Sequence, residues 1–284
     1  MEHFAAGGLK RRDGGVCELF SFSSLFPTRA TFSLRTFAEH GGFTSDAADG
    51  WGLAFLEGRD ARLYKEPAPA ADSSWLHFIE ERRIPTRLMI SHIRRATRGA
   101  KTHANAQPFQ RELGGRAHVF AHNGDLDGID TKFSGAARRF QPMGETDSER
   151  AFCILLERMA PLWVEGATPD LEERRAVFAE FASDMRALGP ANFLYCDGDA
   201  MFAHGHRRTR SDGLIAPPGL WRLERCCETD RDAPDGAKGP RQHIVLFASV
   251  PLSGEDWSPL EEGEIIVVKD GRTLVREGAP SLQV

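Results

Sequence analysis

The apolar runs of this 284-residue chain arrive in groups rather than in alternation. Strand-length runs come first, two helix-length stretches follow one another in the middle, and strands resume to the end. A doubly wound parallel sheet needs strand and helix to alternate strictly, so the grouping favours an α+β fold built on antiparallel sheets. The local signals agree. Val16-Cys17-Glu18-Leu19-Phe20-Ser21-Phe22 reads as a strand behind the breaker Gly14-Gly15. Residues 28–40, with Phe32, Leu34, Phe37 and Ala38 apolar, suit an amphipathic helix stopped by Gly41-Gly42. Residues 49–56 read as a turn and buried strand, with 62–65 as hairpin partner. Asp72 or Ser73 can cap a helix reaching about Arg83. Residues 87–94 and 117–122 are two more strands, each ending in a polar loop, where sites collect.

Thr146 or Asp147 opens a helix with Ala151, Ile154, Leu155, Leu156 and Met159 on its apolar face. A second helix spans 170–188 and ends at Gly189-Pro190. Residues 192–196 and 200–204 form a hairpin around Asp197-Gly198-Asp199. The Asp-, Gly- and Pro-rich 229–241 stretch reads as a loop. A strand at 243–250 follows, then a hairpin of 264–269 and 273–276 turning at Asp270-Gly271. No repeat or linker divides the chain, so residues 17–284 are expected to form one domain. Residues 1–16 are Gly-rich and aperiodic and read as a disordered leader, or as a short added arm.

A net charge of −5 argues against a nucleic-acid partner, because phosphate binding needs a basic face. The basic runs Arg82-Arg83 and Arg207-Arg208 with Arg210 read as solvated surface. No stretch approaches the roughly 18 apolar residues of a membrane helix. The five cysteines fit neither a disulfide framework nor a zinc site, which makes the cytoplasm the simplest compartment. No phosphate-cradling glycine loop or metal cluster is visible in the sequence, and no cofactor is expected.

The polar segments after the strands form an ordered series. Cys17-Glu18-Leu19 is followed by His92-Ile93-Arg94-Arg95-Ala96-Thr97-Arg98-Gly99, then Asn105-Ala106-Gln107-Pro108-Phe109, then Ala121-His122-Asn123-Gly124, then Glu145-Thr146-Asp147-Ser148-Glu149. Taken singly, each has an ordinary explanation. Cys17 fits a core position, since free cysteine is among the most buried residue types. Asn123-Gly124 is a strong turn signal. Arg94 is compatible with a surface arginine, and Asp147 with a cap or first-turn acid. Cys153 and Cys196 read as core, and Cys226-Cys227 carries no assigned role.

Taken together, the series resembles the class II glutamine amidotransferases, which are N-terminal-nucleophile enzymes that cut glutamine at its side-chain amide. The likeness runs from Cys17 to nearly the end of the chain and is greatest to the stand-alone bacterial branch, whose relatives include the γ-glutamyl hydrolase of ergothioneine synthesis. It implies a four-layer αββα sandwich. It also implies a nucleophilic Cys17 whose own α-amine is the base, with a thiol of pKa about 8.5 beside an amine of about 7.7–8.0. In the family the residues matching Asn123 and Gly124 form the oxyanion hole. The match to Arg94 holds the substrate α-carboxylate, with Thr97 lining the pocket, and the match to Asp147 holds its α-ammonium. Asn105 and Trp51 are expected nearby as support. Arg95 and Arg98 stand where the family often has Trp and His.

The implied activity is hydrolysis of L-glutamine to glutamate and ammonia through a Cys17 thioester. The ammonia goes to water or to an acceptor on a separate synthase subunit. A γ-glutamyl amide hydrolase acting on a larger metabolite, or an inactive binding domain, are the alternatives. The mechanism needs a free amine on Cys17, so residues 1–16 are expected to be a propeptide or the product of a misassigned start, with the Val16 codon the initiator read as methionine.

Overall fold

Side-chain alternation along the central strands decides the architecture. A computed structural model of the chain describes residues 17–29, 31–41, 48–136, 138–164, 167–210, 212–228 and 240–278; the 1–16 leader and nearly all of the 229–241 loop lie outside the described residues. The elements are β1 (Glu18–Thr28), α1 (Thr31–His40), β2 (Gly50–Glu57), β3 (Asp60–Glu66), α2 (Ser74–Arg82), β4 (Thr86–Arg94), β5 (Phe109–Leu113), β6 (Arg116–Asn123), α3 (Ile129–Lys132), α4 (Asp147–Met159), α5 (Leu171–Arg186), β7 (Asn192–Cys196), β8 (Met201–His204), β9 (Arg208–Thr209), β10 (Ile215–Ala216), β11 (Trp221–Glu228), β12 (Arg241–Ala248), β13 (Ser258–Pro259), β14 (Ile265–Lys269) and β15 (Arg272–Glu277).

Two antiparallel sheets face each other. The first runs β13-β11-β12-β1-β4-β2-β3 and the second β15-β14-β8-β7-β6-β5, with β9 and β10 forming a small separate ribbon. Successive residues of a strand point to opposite faces, so each sheet has an inner and an outer apolar set. Leu19, Ala54, Ile90, Val119, Ala121, Leu194, Val245 and Phe247 fill the space between the sheets. Phe20, Phe22, Leu53 and Phe55 face outward onto Phe37 of α1 and Leu76 and Ile79 of α2. Phe120, Phe193 and Phe202 face the other way onto Phe152, Phe178 and Phe181 of α4 and α5. The result is the αββα sandwich expected.

Local capping chemistry places the helices. Ser73, not Asp72, caps α2 by accepting from the Leu76 N–H. Thr146 caps α4 by accepting from the Glu149 N–H, which leaves Asp147 as the first helical residue. Asp170 caps α5 through the N–H groups of Glu172 and Glu173.

One long strand has no counterpart in the sequence reading. Trp221–Glu228, assigned no structure beforehand, is strand β11, paired with β12 along its whole length. Its inward alternation is diluted by Arg222, Glu224 and Arg225, which suit a strand near the sheet edge. Cys226 and Cys227 are exposed at its end, whereas Cys153 and Cys196 are buried as expected.

At the end of the sandwich where β7 turns into β8, buried Arg174 of α5 donates to Asp197 at 2.6 Å and to Asp199 at 3.1 Å, and Lys269 donates to Asp199 at 2.8 Å.

Candidate active site

Antiparallel pairing brings the predicted residues to the opposite end. β1 is a central strand, bonded to β4 on one side and β12 on the other. Glu18 pairs with Ile93, so Cys17 at the head of β1 lies against Arg94 and Arg95 at the tail of β4. The Arg95 N–H donates to Cys17 Sγ at 3.1 Å, and the thiol lies the same distance from the Arg95 carbonyl. Burial pushes the thiol up to about 11; Asp125 and Asp147 add to the rise, while the Arg95 N–H and the charge of Arg94 oppose it.

Asn123 ends β6 on the facing sheet and bridges the gap. Its Nδ2 donates to the Cys17 carbonyl at 2.6 Å and to Ser249 Oγ at 3.1 Å. Gly124 follows with φ +155°, and a Cβ there would fall 1.8 Å from the Pro190 carbonyl oxygen. Only glycine fits.

Arg94 is 4% exposed. It donates to the Arg98 carbonyl at 2.7 Å and to those of Gly99 and Ala100 at 3.2 Å, so its guanidinium holds the 98–100 loop in shape. Among the described residues no carboxylate lies within ion-pairing distance of it, and burial lowers its pKa. Thr97 donates to Asp125 at 2.6 Å, and the next residue but one in the same order, Asp127, pairs with Arg98. Asp147 accepts from the Leu126 N–H at 2.7 Å and from the Ser148 N–H at 2.8 Å. The loop after Gly124 therefore ties Thr97 to Asp147. Asn105 accepts from the Glu145 N–H and donates to the Ala100 carbonyl, joining the two loops behind the site. Trp51 is not part of it. Its side chain lies in the core on the outer face of the first sheet, and its indole donates to Glu66.

The chain matches known proteins over most of its length. The family model for class II glutamine amidotransferases matches residues 16–283. The chain belongs to that family. The YafJ protein of Escherichia coli (strain K12), provisionally named a glutamine amidotransferase, is 34% identical over 254 residues, 88% of this chain and 96% of its own. An uncharacterised protein of Methanocaldococcus jannaschii is 31% identical over 91% of this chain and 71% of its own. Among solved structures, a predicted glutamine amidotransferase of Pseudomonas aeruginosa superimposes with TM-score 0.59 at 28% identity, over 93% of this chain and 97% of that one. Glutamine phosphoribosylpyrophosphate amidotransferase from B. subtilis shares the fold at TM-score 0.59 and 16% identity, over 92% of this chain and 49% of its own. The family's N-terminal-nucleophile hydrolase fold is thus the fold of this chain.

Several residues at the site carry no motif signal. Ser249, just past β12, exchanges bonds with β1: its N–H donates to the Leu19 carbonyl and its Oγ accepts from the Leu19 N–H, both at 3.0 Å. Arg208, read from sequence as solvated surface, instead donates to the Ser249 carbonyl at 2.6 Å, and burial lowers its pKa. Glu18, beside the thiol, is buried and bonded to His40 at 2.7 Å. The described residues contain no group of three or more His, Cys, Asp or Glu placed to hold a metal ion, and no helix long and apolar enough to cross a membrane.

Proposed function

We propose that the protein hydrolyses the side-chain amide of L-glutamine, with Cys17 as nucleophile once its α-amine is free. The observation that supports this most is the charge pattern around the thiol. Cys17 lies within electrostatic reach of Arg94, a buried cation with no carboxylate partner among the described residues, and of two carboxylates, Asp125 and Asp147. An amino acid's α-carboxylate and α-ammonium are the complement of that pair. The substrate's side-chain amide then reaches the sulfur.

The α-amine takes the thiol proton, and the thiolate adds to the amide carbon. Asn123 and the Gly124 N–H donate to the oxyanion, the C–N bond breaks, and the amine returns the proton to departing ammonia. Water then attacks the thioester, giving glutamate and restoring the thiol. A γ-glutamyl group offers the same two charges, so comparing ammonia release from glutamine with cleavage of larger γ-glutamyl amides identifies the preferred substrate.

Cys17 carries a peptide nitrogen, without a basic lone pair, in the 284-residue chain. That form is expected to be nearly inactive. A form beginning with methionine in place of Val16, trimmed to expose Cys17, is expected to release ammonia. It is also expected to form a covalent adduct at Cys17 with a glutamine-like diazo-ketone, read by mass spectrometry. Full activity with residues 1–16 attached would overturn the mechanism.

A further inference from the structure

The carboxamide of Asn123 has two N–H groups and one carbonyl, and it works as an oxyanion donor only if its plane is held. The Cys17 carbonyl is an acceptor alone, which fixes Nδ2, not Oδ1, toward Cys17. The other anchor is Ser249. Its Oγ accepts from two groups that can only donate, the Leu19 N–H at 3.0 Å and Asn123 Nδ2 at 3.1 Å. The hydroxyl is fixed in turn. Ser249 is 1% exposed, its N–H is bonded to Leu19, and its carbonyl takes the Arg208 guanidinium. No water can replace the hydroxyl without rearrangement at so buried a position.

We propose that Ser249 is a positioning residue for the reaction: it holds one amide proton of Asn123, so that the second, bonded to the Cys17 carbonyl in the free protein, stays on the Cys17 side and passes to the oxyanion as it develops. The same hydroxyl fixes the Leu19 amide and thereby the head of β1, so one side chain registers the nucleophile's strand against the oxyanion donor on the opposite sheet. This rests on the glutamine-hydrolysis reading above.

The test uses the form with Cys17 exposed, with active sites counted by diazo-ketone labelling. Ser249→Ala is expected to lower kcat about tenfold, the rate equivalent of one buried hydrogen bond, with KM changed less than about twofold. In an Asn123→Ala background the same substitution is expected to cost nothing further, because a residue acting through Asn123 has nothing left to orient. Equal losses in both backgrounds, or full kcat in Ser249→Ala, overturn the role. If the alanine variant does not fold, Ser249→Cys, close in size but a poor acceptor, carries the same expectation. A parent protein that neither labels nor releases ammonia overturns the underlying reading as well; a parent that does both, with Ser249→Ala unimpaired, overturns the Ser249 role alone.

Discussion

Arg94 and Arg174 are almost equally sealed from water, at 4% and 3% exposure, yet their surroundings are opposite. Arg174 sits between Asp197 and Asp199. Burial works against its charge, but the two carboxylates prevail and its pKa is raised. Among the described residues Arg94 donates only to carbonyl groups of its own loop, and its pKa is lowered. Burying an ion is repaid at the first site by counter-ions and at the second only by dipoles. The Arg174 network is complete as it stands. Among the described residues no carboxylate pairs with Arg94; in the proposed function the substrate α-carboxylate takes that place.

The largest effect that would separate the two falls on Arg174. Arg174→Met strands Asp197, which is fully buried, and is expected to cost roughly 3–5 kcal/mol of stability. Denaturant unfolding measures this, while the activity per folded molecule stays unchanged. Arg94→Gln should behave in the reverse sense. Substrate binding is expected to weaken by roughly 2–5 kcal/mol, as when one partner of a desolvated charge pair is lost, and to appear in KM. Its stability cost should be the smaller of the two, because Arg98, Gly99 and Ala100 are exposed and their carbonyls can turn to water. A stability loss at Arg94 equal to that at Arg174, with KM unmoved, would erase the distinction.

A third expectation concerns pH. Burial holds His92, His118 and His204 neutral, each with a pKa of about 3. In the unfolded chain they titrate near 6.5, so between about pH 3 and 6.5 the unfolded state binds more protons. Their contribution to stability is therefore present above that window and is lost as pH falls through it. The pH dependence of unfolding free energy near pH 5 should correspond to about three protons from this source. The smallest effect belongs to the Arg98–Asp127 pair at the rim, which is largely exposed. Arg98→Ala is expected to change stability by only about 0.2–1 kcal/mol, and less in high salt.

Legibility in the sequence followed the same division. The groups proposed to touch the reacting centre sit at strand and helix ends, where Cys17, Arg94, Asn123-Gly124 and Asp147 stand in polar segments after apolar runs, so the pattern exposes them. Groups that act through those residues leave no such trace. Ser249 is one serine in Ala248-Ser249-Val250-Pro251, and its importance arises only because β12 pairs with β1 across more than 200 positions of sequence. Arg208 stands in a basic run that looks solvated, and its bond to the Ser249 carbonyl just past β12 leaves it half-buried. Strand β11 was missed for a related reason: its charged residues mask the alternation that its neighbour β12 enforces. Trp51 shows the converse, since a large aromatic expected to support the site belongs to the face of the sheet turned away from it.

The position of Cys17 also sets a rule for anyone producing the protein. Both edges of β1 are taken, by β4 and by β12, and Asn123 covers its head. On the proposed mechanism a purification handle joined to the Cys17 nitrogen would cap the amine that serves as base, however long or flexible its spacer. A handle added after residue 284 follows β15, an outer strand of the second sheet, instead. On that mechanism the vector, ahead of the choice of substrate, is the first thing to check in an inactive preparation.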